Sequence, residues 1–557
     1  MISRFVIILI CLLPIMAGLA GAILPASGWF APLGRYHFSL EPVFLFLDQP
    51  AIWTSIWLSG FTALVATFIS YVLAMVLLAR LYHNGRAGII FRLIAPLLAV
   101  PHITVAVGFL FLLQPSGWLI RLLSPWLTGW ERPPDLYLIP DAYGVGLILA
   151  LIAKELPFLL LMGVSALSQI KVNDHLDHAA SLGYRPYSAW LYIITPQLAK
   201  RMRLPVMIVL MFSVSVVDMA LILAPSLPPP LAPRILDWFY DADLNNQFIA
   251  AVGAVVQLGL ALICCVIWIS SAYATGQFIR HLTYHGKRGY LPSVLVKGCR
   301  KTLFIIAILP CLISVMGLIS VIIWGFANIW RFPDVLPDQW GVLAWINTAD
   351  MMFVAGFNSV MIAGISALAS VIIAIIWFEQ SATRYHSHME KWLYLPLLLP
   401  QASFLFGLQI FLIWLRLDGL YITLIWVHML FVFPYVMLTL GPIWRRFDRH
   451  YTDIAATLGA SKIRQLFRIK LPILLTPIMT AFAIGFSVSC ALYLPTIFAS
   501  NGRMVTLTTE AVTLASGASR QALGVASVMQ MILPLVVFLL CDAVIRWRFG
   551  RFRHFRA

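Results

Sequence analysis

Three charged residues stand inside otherwise apolar runs. Lys154 and Glu155 interrupt "LILALIAKELPFLLL", and Asp218 follows "FSVSVV". A charge at the centre of a bilayer costs about 3 kcal/mol on insertion scales, so such residues either pair to fix helix packing or line a solute route. Both readings are open for Lys154, Glu155 and Asp218 as substrate-pathway candidates. His102 beside Pro101 and Gln401 beside Pro400 occupy matching proline kinks. Freed carbonyls at such kinks can line a cavity, although packing is the simpler role. His386 with His388, and His175 with His178, have metal-binding side chains, but solvated faces are the simpler reading, and no metal site is expected. The seven cysteines (11, 264, 265, 299, 311, 490 and 541) lie in or beside apolar runs and include no C-x-x-C pair, so they read as packing residues. No H-E-x-x-H, G-x-S-x-G or G-x-x-x-x-G-K-[ST] pattern occurs; "YHGKRG" lacks the first Gly and the Ser/Thr. No catalytic residue is assigned.

Two polar stretches carry a different chemistry, that of docking. "DHAASLGYRPYSAWLYIITP" runs from Asp177 to Pro196 and "DIAATLGASKIRQLFRIKLP" from Asp453 to Pro472. They share D-x-A-A-[ST]-L-G with a Pro thirteen residues after the Gly, and every matched residue is offset by 276. Asp177 and Asp453 suit helix starts, where a carboxylate meets free N–H groups. Ala179, Ala180, Ala455 and Ala456 leave a bare surface that another protein can approach. Gly183 and Gly459 end or bend the helix. A second short helix follows, and Pro196 and Pro472 open the next span, where a missing N–H costs least. One such elbow could simply lie on lipid. Two at equal spacing on one face point to protein docking.

Composition defines what holds these stretches. The 557 residues are 61% hydrophobic and 11% charged, with mean hydropathy +0.92. A soluble domain carries about 25% charged residues, so most of this chain belongs in lipid. Spanning segments must satisfy their own backbone hydrogen bonds, and these runs are too long and continuous for alternating barrel strands. The fold class is therefore all-α integral membrane, with about 12 transmembrane helices. Spans are expected near 4–24, 52–80, 90–114, 142–165, 203–224, 248–272, 303–326, 353–378, 391–415, 420–442, 477–498 and 525–546. The first span reads as an uncleaved helix rather than a signal peptide. With the N-terminus in the cytosol, inner segments hold 29 of the 38 Lys and Arg residues and outer segments 8. This asymmetry supports cytosolic N- and C-termini, and it accounts for the +16 net charge without nucleic acid. Trp residues near outer interfaces form the expected aromatic belt.

Further matches make the chain a tandem repeat. "SGFTALVA" (59–66) resembles "AGISALAS" (363–370), "PLLAVPHITVAVGF" (96–109) resembles "PLLLPQASFLFG" (396–407), and "FSVS" occurs at 212–215 and 486–489. The expected organisation is an N-terminal helix and outer segment (1–50), a first transmembrane domain (51–273), a cytosolic linker (274–302) and a second transmembrane domain (303–557). Both elbows fall on one face, so the repeat is parallel, with a pseudo-two-fold axis along the membrane normal.

D-x-A-A-x-L-G-x12-P resembles the EAA loop of type I ABC-importer permeases, and each half resembles a six-helix permease unit of that family. The chain looks most like the fused double permeases of the iron(III), thiamine and Ynj groups. The segments "LPTIFASNGRMVTLTTEAVTLASG" and "KELPFLLLMGVSAL" look closest to the Ynj type. Both elbows carry Asp where the family usually has Glu. The resemblance implies a permease subunit of a bacterial inner-membrane importer of a small solute. Its elbows would dock a cytosolic ABC ATPase dimer that binds ATP and Mg, and a periplasmic substrate-binding protein would deliver the solute. No cofactor is then expected in this chain. An autonomous secondary transporter or channel is the alternative; it has no use for two docking elbows. A membrane enzyme would need a convergent catalytic set. The transported substrate does not follow from the sequence: Glu155 and Asp218 suit a cation, Lys154 an anion.

Overall fold

A computed structural model describes residues 2–83, 99–136, 139–284, 293–380, 387–517 and 519–549. Outside them lie the first part of the span expected near 90–114, the middle of the linker, His386 and the tail 550–557. The first half contains α1 (Ile2–Ala26), α2 (Ile52–His83), α3 (His102–Leu113), α4 (Val145–Leu167), α5 (Val172–Ser181), α6 (Thr195–Ser215), α7 (Asp218–Leu223), α8 (Leu231–Phe239) and α9 (Asn246–Tyr284). The second repeats the order: α10 (Ser293–Phe326), α11 (Ala349–Gln380), α12 (Gln401–Trp414), α13 (Tyr421–Arg445), α14 (His450–Thr457), α15 (Leu475–Ala491), α16 (Leu494–Ser500), α17 (Leu507–Ala515) and α18 (Arg520–Phe549). Strand structure among the described residues is a two-stranded ribbon of 327–329 and 339–340.

Among the described residues nine helices are long and apolar enough to cross a membrane, and eleven if two bent helix pairs each count as one span. The span expected near 203–224 corresponds to α6, less apolar because Lys200, Arg201 and Arg203 sit in its first turns. It also stops early. Val216 is extended, and Asp218 opens a separate helix, α7. The span expected near 477–498 breaks at the matching place, between Ala491 and Leu494. Both new helices start at an offset of 276, so Asp218 corresponds in space to Leu494, not to Leu492 as the "FSVS" match implies. The linker expected from 274 begins as helix, since α9 runs on to Tyr284. At about 1.5 Å per residue this 39-residue helix exceeds a hydrocarbon core of about 30 Å.

The halves interlock rather than stand side by side. The α1 helix packs on α12 of the second half, and α10 packs on α3 of the first. Glycine makes both crossings possible. A Cβ on Gly407 would lie 2.0 Å from the Gly18 carbonyl oxygen, and one on Gly108 would lie 2.9 Å from the Gly317 carbonyl carbon. Helices associate in lipid through such close backbone approach, because burial of apolar surface gives little net drive there. Gly18 and Gly317, like Gly108 and Gly407, are 299 apart, so one crossing is the repeat of the other.

A second repeated contact holds α8 and α17. The Leu231 N–H donates to Ser59 Oγ at 2.8 Å, and the Leu507 N–H donates to Ser359 Oγ at 2.9 Å. Each is a first-turn N–H without an intrahelical acceptor, satisfied by a serine of α2 or α11. Ser59 therefore corresponds to Ser359, one helical turn before the Ala363 that the "SGFTALVA" match pairs with it.

Gly407→Ala should force the α1–α12 crossing apart and cost roughly 1–3 kcal/mol or more, as overpacking does. Gly364→Ala, facing open space, should not. Thermal unfolding in detergent should show a lowered Tm for the first variant alone; equal Tm values would contradict the packing.

Candidate functional site: two elbows and a buried polar cluster

Each elbow is built by one backbone motif. Gly183 and Gly459 have φ of +83° and +78°, the left-handed region that favours glycine. The Gly183 N–H donates to the Ala180 carbonyl and the Tyr184 N–H to that of Ala179, at 2.9 and 3.0 Å. The Gly459 N–H donates to Ala456 and the Ala460 N–H to Ala455, at 3.0 and 2.9 Å. This paired closure is a Schellman cap, which satisfies the orphan carbonyls of α5 and α14. The chain then restarts with Pro186 at the first helical position in one elbow and with Ser461 Oγ accepting the Arg464 N–H in the other.

A wide turn follows, at Trp190–Ile194 and at Leu466–Lys470, again 276 apart. The Thr195 N–H reaches back five residues to Trp190, and the Leu471 N–H to Leu466. The cause is the next residue. A proline ring collides with the carbonyl four positions back in a regular helix, and a π turn moves that carbonyl away. Pro196 and Pro472 thus shape the turn before them and allow the elbow to enter the membrane helix.

Two expectations are corrected here. Asp453 lies in the first turn of α14, but Asp177 is the sixth residue of α5 and does not start its helix. Both carboxylates are exposed. The bare alanine surface is also only half available: Ala180 and Ala456 are exposed, whereas Ala179 and Ala455 are buried in the chain's own packing. The exposed apolar groups lie elsewhere. Leu182, Tyr187 and Leu191 project from the first elbow, and Leu458, Ile463 and Phe467 from the second, each pair offset by 276. Leu458 is 82% exposed. The Leu-Gly step of the motif carries this signal, because a residue just before a left-handed cap points off the helix end.

Lys154, Glu155 and Asp218 come together with His102. Lys154 Nζ donates to the Val100 carbonyl, and Glu155 Oε1 lies 3.8 Å from His102 Nε2. Asp218 accepts the Met219 N–H at 2.9 Å in the first turn of α7, and its carboxylate lies in the field of His102 and Lys154. All three expected residues are buried. The second half packs beside them: α7, which carries Asp218, lies against α17, and the Gln401 N–H donates to Ser215 Oγ at 3.4 Å. The cluster therefore sits between the halves. Toward the ends of α8 and α16, rings of both halves meet. Phe239 lies 5.0 Å from Phe406 and 5.2 Å from Phe498, edge to face. A separate hollow of about 510 Å³ lies beside the first elbow, between Leu78, Tyr82, Val164 and Asn173.

The second half has no charged counterpart but a neutral network that sequence reading misses. His428 on α13 is bonded through Nδ1 to Ser489 Oγ at 2.7 Å and through Nε2 to Thr496 Oγ1 at 3.0 Å. Thr496 donates to the Leu492 carbonyl, and Ser366 joins through Ser489. His428 thus spans the break between α15 and α16. In the first half Ile152 takes the equivalent place, and the Ser213 hydroxyl, the counterpart of Ser489, is buried without a hydrogen-bond partner among the described residues. A lone histidine in an apolar run gives no sign of this in the sequence.

An all-α protein with two interlocked halves, a pair of matching elbows and a polar cluster between the halves has the build of a membrane transport subunit. The chain matches no family model. It is 30% identical over 535 residues to the inner membrane ABC transporter permease protein YnjC of Escherichia coli (strain K12), an alignment covering 93% of this chain and 96% of that protein. The chain therefore belongs to the ABC transporter permeases, and it is a multi-pass inner-membrane protein.

Removing His428 should take one hydrogen bond from Ser489, which keeps Ser366, and one from Thr496, which keeps the Leu492 carbonyl, at about 1 kcal/mol for each lost bond. His428→Leu should lower the Tm in detergent by several degrees. An unchanged Tm would mean the network holds nothing.

Proposed function

We propose that this chain is the membrane subunit of a binding-protein-dependent importer, with two permease units, 51–273 and 303–557, fused through 274–302. The observation that carries this reading is the paired set of exposed apolar residues, Leu182, Tyr187 and Leu191 with Leu458, Ile463 and Phe467, on two identically built elbows. Exposed apolar groups mark a protein or membrane interaction site, and their repetition at matching positions of both elbows favours a protein. In an ABC transporter permease, the partner that fits two equal sites is a homodimeric ATPase, which would bind ATP and Mg. The basic asymmetry of the sequence supports placing the elbows, and both termini, in the cytosol.

Solute would pass between the halves. The aromatic contact of Phe239, Phe406 and Phe498 closes the outer end of that route, and Lys154, Glu155, Asp218 and His102 line it further in. ATP binding would draw the elbows together and open the outer end to a binding protein carrying a small solute. A charge in the route is hydrated in one state of the cycle, which lowers the cost of keeping it in the membrane.

Replacing both Leu182 and Leu458 by Asp tests the docking. Each leucine contributes roughly 2 kcal/mol of buried contact, so the ATPase should no longer co-purify, while the Tm of the exposed-site variant stays unchanged. Retained co-purification and stimulated ATP turnover would sink the idea. Glu155→Gln and Asp218→Asn test the route. Uptake of the solute recovered from the binding protein should fall about tenfold or more, with folding and ATPase assembly intact. Normal uptake, or loss explained by unfolding, would leave these residues with a packing role.

A further inference from the structure

The two elbows share a backbone but are tied to the membrane helices in different ways. In the first, the wide turn Trp190–Ile194 runs into α6 with no residue out of the helix, so elbow and fifth helix are continuous. Ile194 is fully buried, and Trp190 lies 5.3 Å from Tyr82 at the end of α2, whose hydroxyl bonds Asn173 of α5. The second elbow lacks that continuity. The helix Lys462–Ile473 meets α15 at 76°, with Leu474 at the corner. A push along the elbow is therefore spent on bending at Leu474 instead of passing straight into α15.

Another connection spans this corner. At the place of Ile194 stands Lys470, whose Nζ lies 2.5 Å from Glu379 Oε1 in the last turn of α11. Both side chains are mostly shielded, at 21% and 27% exposure, so water and salt screen the pair less than a surface ion pair. Around it Trp444 stacks on Phe378 and Arg445 binds Glu390. The α11 helix then runs unbroken toward its start at Ala349, and Ser359, its eleventh residue, holds the start of α17.

We propose that Lys470 and Glu379 form the strut through which the second elbow drives α11, and through it α17, while the first elbow drives α6 directly. They are positioning residues, and the proposal rests on the docking reading above. A continuous helix in one half, and in the other a corner at Leu474 with an ionic brace across it, make the two docking strokes unequal in what they depend on.

A charge exchange tests this in the full chain purified with its ATPase. Labels placed as noncanonical residues at Leu227 and Ile346, both exposed loop or short-helix positions near the starts of α8 and α11, report their separation by electron resonance with and without ATP, Mg and vanadate. Lys470→Glu and Glu379→Lys should each reduce the ATP-dependent change about fivefold or more, the scale of a coupling between sites. The exchanged pair Lys470→Glu/Glu379→Lys should restore it, and ATPase co-purification should persist throughout. An undiminished change in either single variant, or no recovery in the exchanged pair while it stays folded, overturns the strut. If either single variant fails to accumulate, the Met replacements are read by the same double-mutant cycle, where an interaction near zero overturns it. Loss of the ATPase from the unaltered chain would instead count against the docking reading.

Discussion

Backbone contact at four glycines sets the frame. With Gly18 against Gly407 and Gly108 against Gly317, α1 and α10 cross to the opposite half and lie against its third helix. In lipid, van der Waals contact at this range is one of the few attractions available. The crossings hold the halves face to face, so that α7 with Asp218 lies against α17 and Phe239 meets Phe498.

Within that frame the halves diverge in side-chain chemistry. The first puts Lys154, Glu155, His102 and Asp218 beside its broken fifth helix; the second bridges the equivalent break with His428. The first joins its elbow to the membrane helix through apolar packing; the second uses an ion pair across a bend. A neutral network resists change, whereas charged groups gain by hydration when a cavity opens.

How much of this the sequence discloses depends on which residues punctuate the chain. Gly and Pro at fixed offsets made both elbows legible down to the left-handed turn, and long apolar runs located the membrane helices. The break after Ser215 was not legible, because Val216 and Val217 are apolar and β-branched and carry no Gly or Pro. The repeat slipped by one turn at Ser59 because small residues recur along a helix wherever neighbours press close. Asp177 misled as a helix start, since α5 begins at Val172, upstream of the conspicuous motif. His428 and the Lys470–Glu379 pair needed coordinates, because their partners come from distant segments.

The central claim is that each elbow meets one copy of an ATPase. It is tested most directly by a photo-cross-linking residue placed at Leu182 alone, at Leu458 alone, and at both, in membranes holding the assembled transporter. Each single site should yield a permease joined to one ATPase copy, and the double site a permease joined to two. Cross-links to lipid only at either position, or at most one ATPase copy from the double site, would contradict it.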